Sequence, residues 1–391
     1  MLRYFTTGES HGEALVAVLS GLPAGLKINQ SDLDRDLWRR QQGYGRGGRM
    51  KIERDSAHIL SGVRHGITIG SPISILIENR DWKNWQESLP VAEGDPEKHK
   101  PVNSPRPGHA DLAGVLKYNF AEARYVLERA SARESTARVA IGGLAKAFLR
   151  ELRIEVLSHV IAVGATRLPE GDVAWEHILA LAHRNEVLLN CADPELEQRM
   201  KEEVDKALRT GDSVGGVFEV VAHGVPPGLG TYAQWDERLD GLLAQAVMSL
   251  QAVKAVEIGV GVSAAASPGS AVHDEIAYKA STGFSGFIRA RNHAGGIEGG
   301  ISNGEDIRIR GYLKPISTLR RPLQSVDFAT REPVKAAYER SDVCVVPAAG
   351  VAAEGMVGLT LARCALEKFG GDSMGETLRN YQGYCQQIHN Y

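Results

Sequence analysis

Cysteine is scarce in this sequence and poorly spaced for bonding chemistry. There are four, Cys191, Cys344, Cys364 and Cys385, with no C-x-x-C pair among them. That spacing offers no structural zinc or other metal site, and it points to a reducing, cytoplasmic setting without disulfides. Surplus charge is also missing. The formal net charge is −3, so no global basic field marks a dedicated nucleic-acid binder. No apolar run approaches the ~20 residues of a membrane span. The opening Met1-Leu2-Arg3-Tyr4-Phe5-Thr6 lacks the long apolar stretch of a secretory signal. No G-x-G-x-x-G opens a helix after a strand, and G-x-x-x-x-G-K-[ST] does not occur. A Rossmann cofactor site and a P-loop are therefore unsupported.

What is present is glycine, 43 of 391 residues, in a chain that is 43% hydrophobic and 24% charged. These values suit a globular protein with a large core and many tight turns. By length it is two or three domains or one large one.

The most informative stretch runs from Ser104 to Gly143. Ser104-Pro105-Arg106-Pro107-Gly108-His109-Ala110-Asp111 sets a histidine on a loop stiffened by two prolines. Arg129, Ser131, Arg133 and Ser135 then alternate before a helical pattern begins near Thr136. In an extended or turning segment, alternation places two guanidinium and two hydroxyl groups on one side. Beside the free N–H groups of a helix start, they suit a phosphate or carboxylate. A solvated basic loop capping an ordinary helix fits that segment equally well.

Elsewhere, Thr6-Thr7-Gly8-Glu9-Ser10-His11-Gly12-Glu13 brackets His11 with glycines. A strand is expected over Ala14 to Leu22, and a helix capped at Ser31 and ending near Arg39-Arg40, where basic residues complement the helix dipole. Gly43-Tyr44-Gly45-Arg46-Gly47-Gly48-Arg49 reads as a mobile loop that orders over an anion. Asp81 to Asn103 reads as a long ordered loop of the kind that forms lids. Further helices are expected from Thr136 to about Leu152, Glu195 to Thr210 on the surface, Leu239 to Val253 and Met356 to Phe369. Further strands are expected at Ile154 to Ala165, Ser213 to Val225, Val256 to Ser263 and Ile307 to Tyr312. The last residues are polar and expected to fray.

Gly21-Leu22-Pro23-Ala24-Gly25 and Gly224-Val225-Pro226-Pro227-Gly228 each follow an apolar strand and precede a helix. Acid–Arg pairs, Asp34-Arg35 and Glu237-Arg238, follow at matching distance. The match implies an internal duplication of a strand–turn–helix unit, with chance as the alternative.

Three loops thus offer anion-binding groups: Arg40, Arg46 and Arg49; Arg129, Ser131 and Arg133; and Lys314, Ser317 and Thr318. His11 and His109 are candidate acids near neutral pH, and Asp342, beside Arg340, is a candidate paired carboxylate. Together they describe a polyanion site with proton-transfer groups, although each residue alone has a structural explanation.

Gly8-Glu9-Ser10-His11-Gly12, Arg129-Ala130-Ser131-Ala132-Arg133-Glu134-Ser135, and Arg340-Ser341-Asp342 with Ala353-Glu354-Gly355 resemble the three signature segments of the chorismate synthase family. Pro105 to Asp111 and Gly43 to Gly47 are similar to that family too, and the resemblance runs in order to about Leu361. Ala130 stands where the family often has serine, which removes one hydroxyl contact.

The resemblance implies an α/β fold: one catalytic domain over residues 1–391, a β-α-β sandwich of two similar halves related by a pseudo-twofold, assembled as a homotetramer. It implies a lyase that converts 5-enolpyruvylshikimate 3-phosphate to chorismate by 1,4-elimination of phosphate. Reduced FMN would be required without net redox change, FAD being the related flavin and NADPH the candidate reductant. His11 would protonate the departing phosphate. His109 would protonate or stabilise the reduced flavin, and Asp342 would assist proton removal at its N5. Arg129, Ala130, Ser131, Gln251, Ala252, Gly299, Lys314, Pro315, Ile316, Ser317, Thr318 and Arg340 would hold FMN. Arg40 and Arg46 would serve NADP and the substrate end, with Ser10 and Arg133 as substrate contacts. The partner is a small molecule, with neither nucleic acid nor membrane. An RNA-binding protein using the glycine–arginine loop is the alternative of another class. A phosphatase, or another phosphate-eliminating lyase, is the alternative within enzymes.

Overall fold

Two antiparallel sheets of the same strand order carry the chain; the computed structural model describes residues 1–48, 52–280, 282–339 and 342–391. In the first sheet, Arg3–Thr7, Ala14–Ser20, Ile73–Glu78 and His58–Ile59 lie side by side in that order. In the second, Glu155–Val163, Gly216–His223, Ile307–Leu313 and Val253–Ile258 repeat the order, with Thr166–Arg167 added at one edge. Each second strand leads through a glycine turn toward a helix, Gln30–Gln41 or Leu239–Met248, and each half closes on a long helix, Ser135–Glu151 or Val346–Phe369. The topological repeat matches the duplication expected from the sequence.

Packing follows from the side-chain pattern. Alternation buries Leu15, Ala17 and Leu19 on one strand and Ile73, Ile75 and Ile77 on its neighbour, and both strands pack on Ser135–Glu151. Val346–Phe369 packs on Glu155–Val163 and Gly216–His223 and also against Ser135–Glu151. Helices therefore fill the space between the sheets, giving the β-α-β sandwich. One continuous apolar cluster holds Leu15, Ile75, Phe148, Phe218, Ile309 and Val357 from both halves.

Two glycine features are conformational necessities. Gly21 and Gly25 have φ of 101° and 90°, and Gly224 and Gly228 have 78° and 99°, a region that side chains with a Cβ avoid. Where the two long helices meet, a Cβ on Gly142 would lie 2.3 Å from Gly355 Cα. The acid–Arg pairs are less well matched: Asp34-Arg35 lies inside Gln30–Gln41, whereas Glu237-Arg238 precedes Leu239–Met248.

Several expectations are corrected. Arg129, Ser131, Arg133 and Ser135 do not share one side of an extended segment. They fall on a helix, Arg124–Ala130, a 3-10 turn, Ala132–Glu134, and the start of Ser135–Glu151. The first helix is capped by Asn29, whose side chain accepts the Ser31 N–H. Leu239–Met248 stops early because Ala252, with φ of 69°, turns the chain into Val253–Ile258. The last long helix begins at Val346, with a proline in its first turn. At 24 residues it is apolar and long enough to cross a membrane, contrary to the expectation of no such run, but 78% of its most apolar window is buried in the protein. The C-terminal residues form the helix Met374–His389, held by a Ser373 cap and a Tyr381 hydroxyl that donates to Leu152 O at 2.9 Å.

Candidate active site

The Gly8–Gly12 turn sits against the helix Arg124–Ala130. Ser10 N donates to Glu128 O at 2.9 Å, and His11 N donates to Glu128 Oε2 at 2.7 Å. His11 Nδ1 lies 2.9 Å from Glu128 Oε1. Asn79 donates to Glu9 O and Gly12 O at 3.2 and 2.7 Å, pinning the turn from the first sheet. Trp85, from the long loop after that sheet, stacks on the His11 ring with centroids 4.1 Å apart. Burial pushes the Glu128 carboxyl up, but hydrogen bonds from His11 and the charge of Arg124 outweigh it and hold the group below the usual carboxylate range.

His109 has a parallel arrangement. Its Nδ1 is 2.5 Å from Asp111 Oδ1, and Arg106 donates to the same carboxylate through N, Nε and Nη2 at 3.0, 2.8 and 2.9 Å. Asp111 is fully buried. Burial alone raises its pKa, yet hydrogen bonds from His109 and Arg106 drive it far below the usual range.

Contacts link the two histidine loops. Arg129 donates to Thr6 O and Gly8 O at 2.7 and 3.0 Å. Thr6 and Gln251 both donate to Glu134, at 2.7 and 3.1 Å. Lys314 N donates to Ala252 O at 3.0 Å, and Lys314 Nζ donates to Gly108 O at 2.7 Å. Arg106 Nη1 donates to Thr318 Oγ1 at 3.1 Å. Arg129, Gln251, Ala252 and the Lys314 to Thr318 turn thus lie between Ser10-His11 and His109. Within that turn Ile316 O accepts from Ser213 at 2.6 Å, Pro315 stiffens the backbone, and Ser317 lies beside Gly108. Ala130 ends its helix, and Ser131 accepts from Arg133 N at 3.3 Å to cap the next turn.

Arg40 and Arg133 are buried, and the Arg46 side chain is nearly so. Arg40 donates to Ser135 Oγ and Ala132 O at 3.0 and 2.8 Å, with Asp55 Oδ2 3.7 Å from its Nη1. Burial, with Arg133 and Arg46 nearby, pushes Arg40 down to about 9 despite the attraction of Asp55. Arg133 binds Asp55 Oδ1 at 2.5 Å and Asn79 Oδ1 at 2.8 Å, so it anchors the residue that pins the histidine turn. Asp342 pairs with Arg46 at 3.1 Å and accepts from Gly47 N at 2.5 Å. Arg340, expected beside it, and Arg49 lie outside the described residues. Gly299 O accepts from Arg238 at 3.2 Å, and among the described contacts none ties it to the groups above.

Sequence reasoning missed the carboxylates behind the histidines and the anchors Arg124, Asn79 and Asp55. Asp111 was within reach, two residues after His109 in the same motif. Glu128 is adjacent to Arg129, but its pairing with His11 spans 117 residues and only folding reveals it.

Two histidines hydrogen-bonded to carboxylates and set near arginines and a lysine within a β-α-β sandwich suit one class: enzymes that move protons on polyanionic substrates. Comparison with known proteins makes the class specific. The chorismate synthase family profile matches residues 2–366. Chorismate synthase of Koribacter versatilis is 74% identical over 393 aligned residues, with all of both chains covered. That of Acidobacterium capsulatum is 68% identical over 394, again covering both fully. A crystal structure of a chorismate synthase, 39% identical, matches 100% of this chain and 99% of its own with a TM-score of 0.80. The chain belongs to the chorismate synthase family, enzymes of the shikimate pathway.

Proposed function

We propose that the chain converts 5-enolpyruvylshikimate 3-phosphate to chorismate and inorganic phosphate with reduced FMN bound, acting in the cytoplasm as a homotetramer. The reaction balances without a redox partner. The carbon–oxygen bond to phosphate breaks with its electron pair on oxygen. A ring proton leaves in the 1,4 sense, and its pair becomes part of the new diene.

The observation that carries this reading is the single neighbourhood of His11, Arg129, the Lys314 to Thr318 turn and His109. Lys314 Nζ and the Arg129 guanidinium bond to carbonyl oxygens of Gly108, Thr6 and Gly8. Those acceptors are neutral and leave positive charge for an anion, while the carboxylate near Arg129, Glu134, stands 3.9 Å away. These groups, with Gln251, Ala252, Ser131 and the backbone at Ala130, fit a flavin phosphate and its polar ring edge. Reduced FMN, when bound, would supply electron density to the elimination. His11 gives a proton to the departing phosphate oxygen. His109, backed by Asp111, holds a proton on the flavin side, and Asp342 assists removal of the ring proton. Arg40 and Arg46, with Ser10 and Arg133, form the substrate end. Arg46 and Arg40 are also where an NADPH phosphate would meet positive charge.

Anaerobic incubation with substrate and pre-reduced FMN tests the reading. Chorismate and phosphate should appear in equal amounts. Phosphate released without chorismate would make the chain a phosphatase instead, and product formed without reduced flavin would place it with another class of lyase. NADPH with oxidised FMN, and no other reductase, decides whether it reduces its own flavin.

A further inference from the structure

The acid proposed above has a partner that its proton transfer does not itself require. Glu128 grips His11 at two points, with Oε2 on the main-chain N–H at 2.7 Å and Oε1 at 2.9 Å from ring Nδ1. The Glu128 side chain is 2% exposed and that of His11 13%. An ionised carboxylate only accepts hydrogen bonds, so the hydrogen between them sits on Nδ1. Trp85 lies against the face of the same ring, 29° from parallel. Arg124 Nη1 is 3.5 Å from Glu128 Oε1, and the Arg124 guanidinium also sits 5.1 Å from the Trp85 ring centre. The imidazole is therefore held on one edge by Glu128 and on one face by Trp85.

We propose that Glu128 is a positioning residue for His11: it fixes the ring orientation and keeps a hydrogen on Nδ1, so that Nε2 is the nitrogen that protonates the departing phosphate oxygen. This rests on the reading of His11 as the acid. When Nε2 gives up its proton, the neutral ring keeps its Nδ1–H on Glu128, and no proton passes to the carboxylate. Among the described residues, the charged groups around His11 are Glu128 and Arg124 from the helix, with Glu9 beside Gly12 in the same turn, Lys100 across the Trp85 ring, and Glu339 bonded to Arg124.

The test uses the full chain with Glu128→Gln, which keeps size and removes charge. Single-turnover rate with pre-reduced FMN should fall ~10–100-fold, as when the partner of a ligating histidine is removed. Substrate and FMN affinity should stay within about twofold, because the lost interaction acts on the transition state. The pH–rate profile of the variant should differ from that of wild type. A second readout needs neither flavin nor substrate. Protonated imidazole quenches a stacked indole, so intrinsic fluorescence should drop as pH falls, and Trp85→Phe should remove that drop. In Glu128→Gln the midpoint of the drop should differ from that of wild type, because the group held against Nδ1 no longer carries charge. A wild-type rate together with an unmoved midpoint overturns the proposal. If the glutamine variant does not fold by circular dichroism, Glu128→Asp enters both assays. It keeps the charge but is too short for both contacts, and wild-type behaviour there overturns the proposal equally. If the wild-type chain forms no chorismate, the functional reading fails, and the fluorescence arm still decides whether Glu128 governs His11.

Discussion

Glu354→Gln should destabilise the protein far more than its conservative appearance suggests. Glu354 lies in the core helix Val346–Phe369 and is 1% exposed. It accepts from Arg39 Nη1 and Nη2 at 2.8 and 2.7 Å, from Lys146 Nζ at 2.8 Å, and from Ser158 N and Oγ at 2.8 and 2.7 Å. It thus ties together Gln30–Gln41, Ser135–Glu151 and the second sheet. An amide preserves the shape but leaves two buried cations with Asp36 as their remaining carboxylate, at 3.2 and 2.9 Å. Removing one member of a buried ion pair costs roughly 3–5 kcal/mol. Urea unfolding at fixed protein concentration, followed by circular dichroism, measures the loss. The pH dependence adds a second mark. Burial raises the Glu354 carboxyl, but Arg39 and Lys146 outweigh it and hold it well below its unfolded value. A depressed carboxyl stabilises the fold above the unfolded value of ~4.3 and loses that contribution as pH falls toward the folded one. Wild type should therefore weaken steeply below about pH 5, and the variant should show a shallower slope over the same range. A loss under about 1 kcal/mol, with an unchanged acid slope, would refute the view that a paired buried charge organises this core.

Gly142→Ala should cost about 1–3 kcal/mol, because its Cβ would press on Gly355 Cα and spread the two long helices; a melting curve like that of wild type would show that the crossing is looser than described. Lys314→Ala and Arg129→Ala should each weaken FMN binding by roughly 1.5–3 kcal/mol, the value of a charge-assisted hydrogen bond, read by flavin titration. Unchanged affinity in both would move the cofactor elsewhere. His11→Ala should keep FMN and substrate affinity and lose about 10²–10⁴ in single-turnover rate, whereas His109→Ala should also perturb the bound flavin spectrum. A wild-type rate for His11→Ala would return that residue to a purely structural place in its turn.

The glycines and prolines made much of the architecture legible before folding. The paired Gly-x-Pro turns require left-handed backbone at Gly21, Gly25, Gly224 and Gly228, and that local requirement revealed the two halves. Helix boundaries were less legible where tertiary contacts override propensity. Val346–Phe369 keeps Gly350, Gly355 and Gly358 inside a helix because close packing compensates their flexibility. The cationic side of the site was visible as arginines and lysine in short motifs. The anionic side was not: Glu128 meets His11, Asp55 meets Arg133, Glu134 meets Gln251 and Glu339 meets Arg124 across 78 to 215 residues of chain. Arg39 and Arg40 show the cost of local reasoning most clearly. At a helix end they suit the dipole, yet both are buried and bonded to residues far along the chain.

The most direct test of the central claim is an anaerobic single turnover of the wild-type chain with 5-enolpyruvylshikimate 3-phosphate and a stoichiometric amount of pre-reduced FMN. Chorismate absorbance, released phosphate and the flavin spectrum are followed in the same cuvette. Chorismate and phosphate should appear in equal amounts, with the flavin fully reduced at the end. Release of phosphate without chorismate, or formation of chorismate at the same rate when reduced FMN is left out, would contradict it.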